Sequence, residues 1–116
     1  MNKSEYLDLD LLQGYLDNLG DSVVQQMLKL YISQSAIYIA DISSTVSPEN
    51  QKDWHENCHK MKGAAGSVGL LQVHKKLVAI ERLEDDESTK NEHVSELNRI
   101  NTDAINKFSQ WLSKAV

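Results

Sequence analysis

His59, followed by Lys62, Gly63 and Gly66, is the grouping of residues in this chain with the clearest chemical potential. Near neutral pH an imidazole can act as nucleophile, proton carrier or metal ligand. An ammonium one helical turn further on can neutralise an anion that reaches the ring. If the segment is helical, at ~100° per residue, Cys58, Met61, Ala65 and Val68 fall within roughly 40° of Trp54 as one apolar stripe. His55, His59, Lys62, Gly63 and Gly66 fall between about 80° and 180° from it, so the His59 imidazole points outward, with a cation and bare backbone beside it.

The glycines in this stretch need a reason, because each interior helical glycine costs ~1 kcal/mol against alanine. Gly69 stands where the stripe stops and a new apolar series begins (Leu70, Val73, Leu77, Ile80), which reads as the left-handed residue that ends a helix. Gly63 and Gly66 are interior and share the histidine's face. A side chain at either would cover the imidazole or hold off an approaching surface.

The elements that must position this face are helical. One proline and five glycines in 116 residues leave little punctuation, which favours a few long elements over many short strands. Leu9, Leu12, Leu16 and Leu19 set a short amphipathic helix over about 8–19, stopped by Gly20. Asp21 or Ser22 can cap a second helix over about 21–46, carrying Val24, Met27, Leu28, Tyr31, Tyr38 and Ile42. Ser47 at N-cap and Pro48 at N1 start a third, about 48–68, which holds His59. A fourth follows over about 70–84, then the charged Asp85-Asp86-Glu87. Ser88 or Thr89 caps a last helix over about 89–114 with Val94, Leu97, Ala104, Ile105, Phe108, Trp111 and Leu112. The expected fold is all-α: an antiparallel four-helix up-down bundle with a short additional N-terminal helix, as one domain over 1–116.

Composition narrows the function. Twelve Lys and Arg against seventeen Asp and Glu give a formal charge of −5, with no basic arm, which argues against nucleic-acid binding. One cysteine rules out an internal disulfide framework and suits a reducing, cytoplasmic setting; Cys58 lies on the apolar stripe and reads as a small core residue. No apolar run nears the ~18 residues of a membrane span, so any membrane belongs to a larger parent chain. Residues 1–6 leave open whether they begin a protein or continue a longer one.

The run His59-Lys60-Met61-Lys62-Gly63-Ala64-Ala65-Gly66-Ser67-Val68-Gly69-Leu70 resembles the signature of histidine-containing phosphotransfer (HPt) domains, the carrier modules of multistep phosphorelays. The likeness extends to the leucine-rich opening helix, the Leu19-Gly20-Asp21 turn and the helix after Gly69, and is strongest to the terminal domains of ArcB-like hybrid sensor kinases. The resemblance implies that His59 accepts a phosphoryl group from a receiver-domain aspartate and passes it to another receiver's aspartate. It implies a phosphocarrier rather than an enzyme, with no cofactor of its own and Mg2+ on the partner receiver. Transfer through a metaphosphate-like transition state requires mainly positioning and charge neutralisation.

On that reading His59 must be neutral to attack, as exposed imidazoles mostly are at cytoplasmic pH. Lys62 neutralises phosphoryl oxygens, and Gly63 and Gly66 keep the approach open. Leu70 and the early helices offer apolar docking surface around the histidine. Glu81 matches a family position for a polar residue that orients the histidine through its other ring nitrogen. The resemblance further implies a monomer without nucleic-acid or direct membrane contact, at the cytoplasmic end of a membrane-anchored kinase.

Two other readings compete. His55-Glu56-Asn57-Cys58-His59 satisfies H-E-x-x-H, the pattern of zinc metalloproteases, with Glu81 or Glu84 as the acid available for a third ligand. The longer metzincin form fails, because it needs glycine where Lys62 stands and histidine where Ala65 stands, and the lysine charge would oppose a bound cation. No metal is therefore assigned. The plainer alternative is a non-catalytic helical interaction module with an ordinary surface histidine. Lys60 and His55 read as solvated, His74 and His93 carry no motif, Trp54, Phe108 and Trp111 read as core, and Asn101 as a tolerated polar position.

Overall fold

The computed structural model describes residues 5–116, so residues 1–4 of the opening stretch lie outside it. Among the described residues there are five α-helices: α1 (Leu9–Leu19), α2 (Asp21–Ser43), α3 (Gln51–Ser67), α4 (Leu71–Ile80) and α5 (Glu87–Ala115). Their boundaries follow from local chemistry. Asp8 caps α1 by accepting the Leu11 N–H at 3.2 Å, and Gly20, at φ +87°, turns the chain directly into α2. Gly20 is thus the N-cap of α2, with no side-chain capping bond, and Asp21 and Ser22 lie inside the first turn instead of capping it. The Asp21 carboxylate there complements the helix macrodipole.

Helix α2 stops at Ser43, three residues before the sequence expectation of Val46. The Ser44 hydroxyl donates to the Asp41 carbonyl at 2.7 Å and the Thr45 hydroxyl to the Ile42 carbonyl at 2.8 Å, so side chains take up the last carbonyls and release the backbone. Ser47 is extended and leads into a single 3-10 turn, Pro48–Asn50, before α3; its hydroxyl makes no capping bond. Helix α4 ends at Ile80 instead of running to 83 or 84. Helix α5 is capped by Asp86, which accepts the Thr89 N–H at 2.8 Å, and not by Ser88 or Thr89.

Helix α2 packs on α3 and α5, α4 packs on α3 and α5, and α1 lies against α2. Leu12, Val24, Ile42, Trp54, Met61, Leu77, Leu97 and Phe108 are fully enclosed between them. Trp111 is only half-buried and meets Phe108 edge to face. Ahead of α1 the chain is stitched antiparallel to the α3–α4 turn: Asp8 N–H donates to the Gly69 carbonyl at 2.8 Å, Leu71 N–H to the Tyr6 carbonyl at 3.0 Å, and Leu7 bridges Leu70. No helix among the described residues is long and apolar enough to cross a membrane.

Two polar residues of α5 are buried in the core. Asn101 is more than a tolerated polar position: it is buried, accepts from the Tyr31 hydroxyl at 2.7 Å and donates to Ser35 Oγ at 3.0 Å, tying α5 to α2. Burial pushes the Tyr31 phenol well above its ordinary value, so it stays protonated and donating. Lys90 is fully buried, with its Nζ 2.6 Å from Gln51 Oε1 and over the Trp54 ring at 4.9 Å.

Candidate functional site

Helix α3 buries Trp54, Cys58, Met61 and Ala65 and turns the opposite face outward, and its far end shows how it is held. Ser67 is the last residue of the helix and Val68 its C-cap, Gly69 adopts φ +70°, the Gly69 N–H bonds the Gly66 carbonyl at 3.2 Å, and the Leu70 N–H bonds the Ala65 carbonyl at 3.0 Å. These paired bonds are a Schellman cap, in which the residue after the left-handed glycine turns its side chain inward onto the last helical turn. Leu70 is that residue, and it is fully buried. It therefore forms part of the core and not of the docking surface expected for it; Leu71, 40% exposed, faces outward instead.

The imidazole of His59 stands out from α3 with its side chain 65% exposed. Its Nδ1 is 3.4 Å from Glu81 Oε1, and Lys62 Nζ is 2.7 Å from Glu81 Oε2. Glu81 lies just past the end of α4, not within a continuing helix, and is 5% exposed. One carboxylate from another element thus receives an imidazole and an ammonium from successive turns of α3. Burial alone would push the Glu81 carboxyl up, but the hydrogen bonds from Lys62 and His59, with the charges of Lys62 and His55, outweigh it and hold it below its usual range. It is an anion facing the ring.

His59, Lys62 and Glu81 are therefore brought together, while the two glycines differ. A Cβ placed on Gly63 would meet nothing within 4 Å, so no internal packing requires a glycine there. A Cβ on Gly66 would come 3.3 Å from the His74 ring, so that glycine also lets α4 lie close to α3. Beside Gly63, on the α2 side, a shallow groove of about 360 Å3 is lined by Met27, Leu30, Tyr38, Ala64 and Ser67, and Leu30 is 60% exposed.

Sequence reasoning missed His55. It is not simply solvated: its Nδ1 lies 3.0 Å from the Glu81 backbone carbonyl, and its ring is 6.1 Å from that of His59. Its place one turn before His59 on the same face was the available signal. Cys58 is buried, and burial foremost, with the nearby Glu81 charge, raises its thiol to about 12 against the opposing pull of Lys90, which makes it inert. The would-be third zinc ligand, Glu81, is already held by an ammonium. Among the described residues no group of three or more His, Cys, Asp or Glu is arranged to hold a metal ion.

With an exposed imidazole backed by a buried carboxylate, the site invites comparison with known proteins. The family model described as "Hpt domain" matches residues 26–109. The aerobic respiration control sensor protein ArcB of Escherichia coli K12 is 34% identical over 73 residues, 62% of this chain, and that of Shigella flexneri matches equally. The match spans 9% of the length of these curated relatives. Among solved structures, the histidine-containing phosphotransfer domain of ArcB from Escherichia coli superposes with a TM-score of 0.77 at 26% identity over 96% of both chains. The solution structure of the same domain gives 0.76 over 97% of this chain and 91% of that one.

Proposed function

This chain belongs to the Hpt domain family, and we propose that it carries phosphoryl groups on His59 between receiver domains of a two-component phosphorelay. The observation that carries this reading is a ring open to solvent on one side and backed by a buried carboxylate on the other. Glu81 can only accept at Nδ1, so it favours the tautomer with the proton there and leaves the Nε2 lone pair to attack. In the step itself a bond forms from His59 Nε2 to phosphorus as the bond from phosphorus to the receiver's aspartyl oxygen breaks. The aspartate leaves as a carboxylate with the electron pair. The ring keeps its Nδ1 proton and becomes cationic, and the Glu81 anion stabilises that charge.

Lys62 supplies positive charge beside the incoming phosphoryl oxygens, and Gly63 leaves the approach clear. The exposed apolar side chains of α2, Leu30 and Ile37, are better candidates for the docking surface than Leu70. An up-down antiparallel arrangement of α2 to α5 suits the carrier role, because a continuous rod displays α3 along its length. The bonds of Gln51 to the Leu83 carbonyl and of Trp54 to the Ile80 carbonyl, with the close approach of Gly66 to the His74 ring, run to successively earlier parts of the following segment and support it for α3 and α4. We further read the domain as monomeric, with any Mg2+ held by the receiver, and as part of a cytoplasmic portion of a hybrid sensor kinase.

The test is incubation with a receiver domain and its phosphodonor. Acid-labile, base-stable phosphate should form on His59, and His59→Gln should abolish it completely while the helical circular dichroism stays intact. Phosphate uptake by that variant would defeat the assignment.

A further inference from the structure

Helix α4 ends at Ile80, where the Glu81 N–H bonds the Leu77 carbonyl at 2.9 Å and the Leu83 N–H bonds the Ile80 carbonyl at 3.0 Å. The opening turns of α3 add side-chain donors to the carbonyls of this segment. Gln51 Nε2 donates to the Leu83 carbonyl at 2.9 Å, Trp54 Nε1 to the Ile80 carbonyl at 2.8 Å, and His55 Nδ1 to the Glu81 carbonyl at 3.0 Å. Of the three, His55 alone holds residue 81 itself. Its Nδ1 is also 4.0 Å from Glu81 Oε1, the oxygen that faces His59.

We propose that His55 is a positioning residue for the phosphoacceptor: by anchoring the Glu81 backbone just past the end of α4, it aims the Glu81 carboxylate at His59 Nδ1 and so sets the tautomer in which Nε2 can attack. This rests on the carrier reading of His59. A backbone carbonyl only accepts, so the His55 proton sits on Nδ1. Glu81 is then gripped at its main chain by His55 and at its carboxylate by Lys62 and His59, from three successive turns of α3. The contact to His59 is the longer of the two carboxylate contacts, 3.4 Å against 2.7 Å to Lys62. If residue 81 loses its anchor, the carboxylate follows the flexible ammonium, and the contact to the imidazole is the one that lapses. An unconstrained histidine favours the proton on Nε2, where it occupies the lone pair that transfer requires.

Two readouts test this on the whole domain. Long-range proton–nitrogen NMR at a pH where imidazoles are neutral reports the His59 tautomer. Phosphate transfer measured over a range of phosphorylated-receiver concentrations separates the maximum rate from half-saturation. In the wild type His59 should carry its proton mainly on Nδ1. His55→Ala should shift it toward Nε2 and lower the maximum rate at least about fivefold, with half-saturation unchanged. His55→Asn, whose amide nitrogen falls near the place of Nδ1, should restore both. In a Glu81→Ala background His55→Ala should change neither, because the effect travels through that carboxylate. An unchanged His59 tautomer and maximum rate in a folded His55→Ala protein overturns the proposal, as does a full additional effect in the Glu81→Ala background. If His55→Ala does not fold, a wild-type His59 with its proton mainly on Nε2 overturns it equally. Should the wild type accept no phosphate at all, the carrier reading fails, while the tautomer shift still decides the role of His55.

Discussion

Between α2 and α5, Tyr31, Asn101 and Ser35 form a buried neutral chain of hydrogen bonds; between α3 and the end of α4, His59 and Lys62 converge on the anionic Glu81 at the surface. Both clusters join two helices through side chains, but they leave different things undone. In the first, Ser35 passes its own proton to the Ile32 carbonyl at 3.2 Å, and the whole chain is sealed in the core. In the second, one member keeps a ring 65% exposed. A satisfied, dry network specifies how helices pair. An equally organised network with one open side is prepared to react.

That contrast can be broken from either side. After the loss of His59 itself, the largest effect should come from Glu81→Ala, which removes the carboxylate common to both His59 and Lys62. Phosphate uptake in a timed transfer assay should slow by roughly ten- to a hundredfold, as expected when an oriented imidazole loses its acceptor. Uptake at the wild-type rate would show that the surface cluster is structural, like the buried one. The same substitution alters acid stability. The Glu81 carboxyl is held below its unfolded value, so the unfolded chain binds more protons between the two, and stability is full above the ordinary carboxylate range and lost as pH falls through the lower folded value. Urea titrations across that window should show a shallower dependence on pH in Glu81→Ala.

Asn101→Ala should do the reverse. It strands the Tyr31 hydroxyl in the core and should cost about 2 kcal/mol in denaturant unfolding, with the rate of phosphate uptake by the folded protein unchanged. A matched loss of transfer would mean that the two clusters are coupled through the bundle.

The smallest effects separate the glycines. Gly63→Ala should stabilise the protein by about 0.5–1 kcal/mol, since its Cβ enters open space, and Gly66→Ala should gain less because of the His74 ring 3.3 Å away. Gly63→Leu should slow transfer more than it lowers the midpoint of thermal unfolding. Equal losses in both would remove the access argument for this glycine.

The direction in which His59 points was legible in the sequence, because the angular position of a residue on a helix depends on its neighbours within two turns and nothing else. The same holds for Gly69, whose left-handed geometry follows from a stripe that stops, and for Cys58 on the apolar side. Leu70 misled for an instructive reason: an apolar residue close to the histidine reads as docking surface, yet it also opens the apolar series of α4, and the cap's paired backbone bonds carry it inward. The capping errors at Asp21, Ser88 and Thr89 have a like origin, since several neighbouring polar residues could each serve and the winner depends on where the chain turns.

What periodicity determined, then, was which side chains of α3 are offered outward. Resemblance alone pointed to Glu81 behind the imidazole; what only the tertiary structure decided was how it is brought there. Glu81 is 22 residues from His59, and it backs the imidazole because α4 stops where α3 side chains claim its last carbonyls. Asn101 and Lys90 became interior for the same kind of reason. A polar group can be buried only where distant elements bring it a partner, and that meeting is a property of packing, which no local pattern encodes.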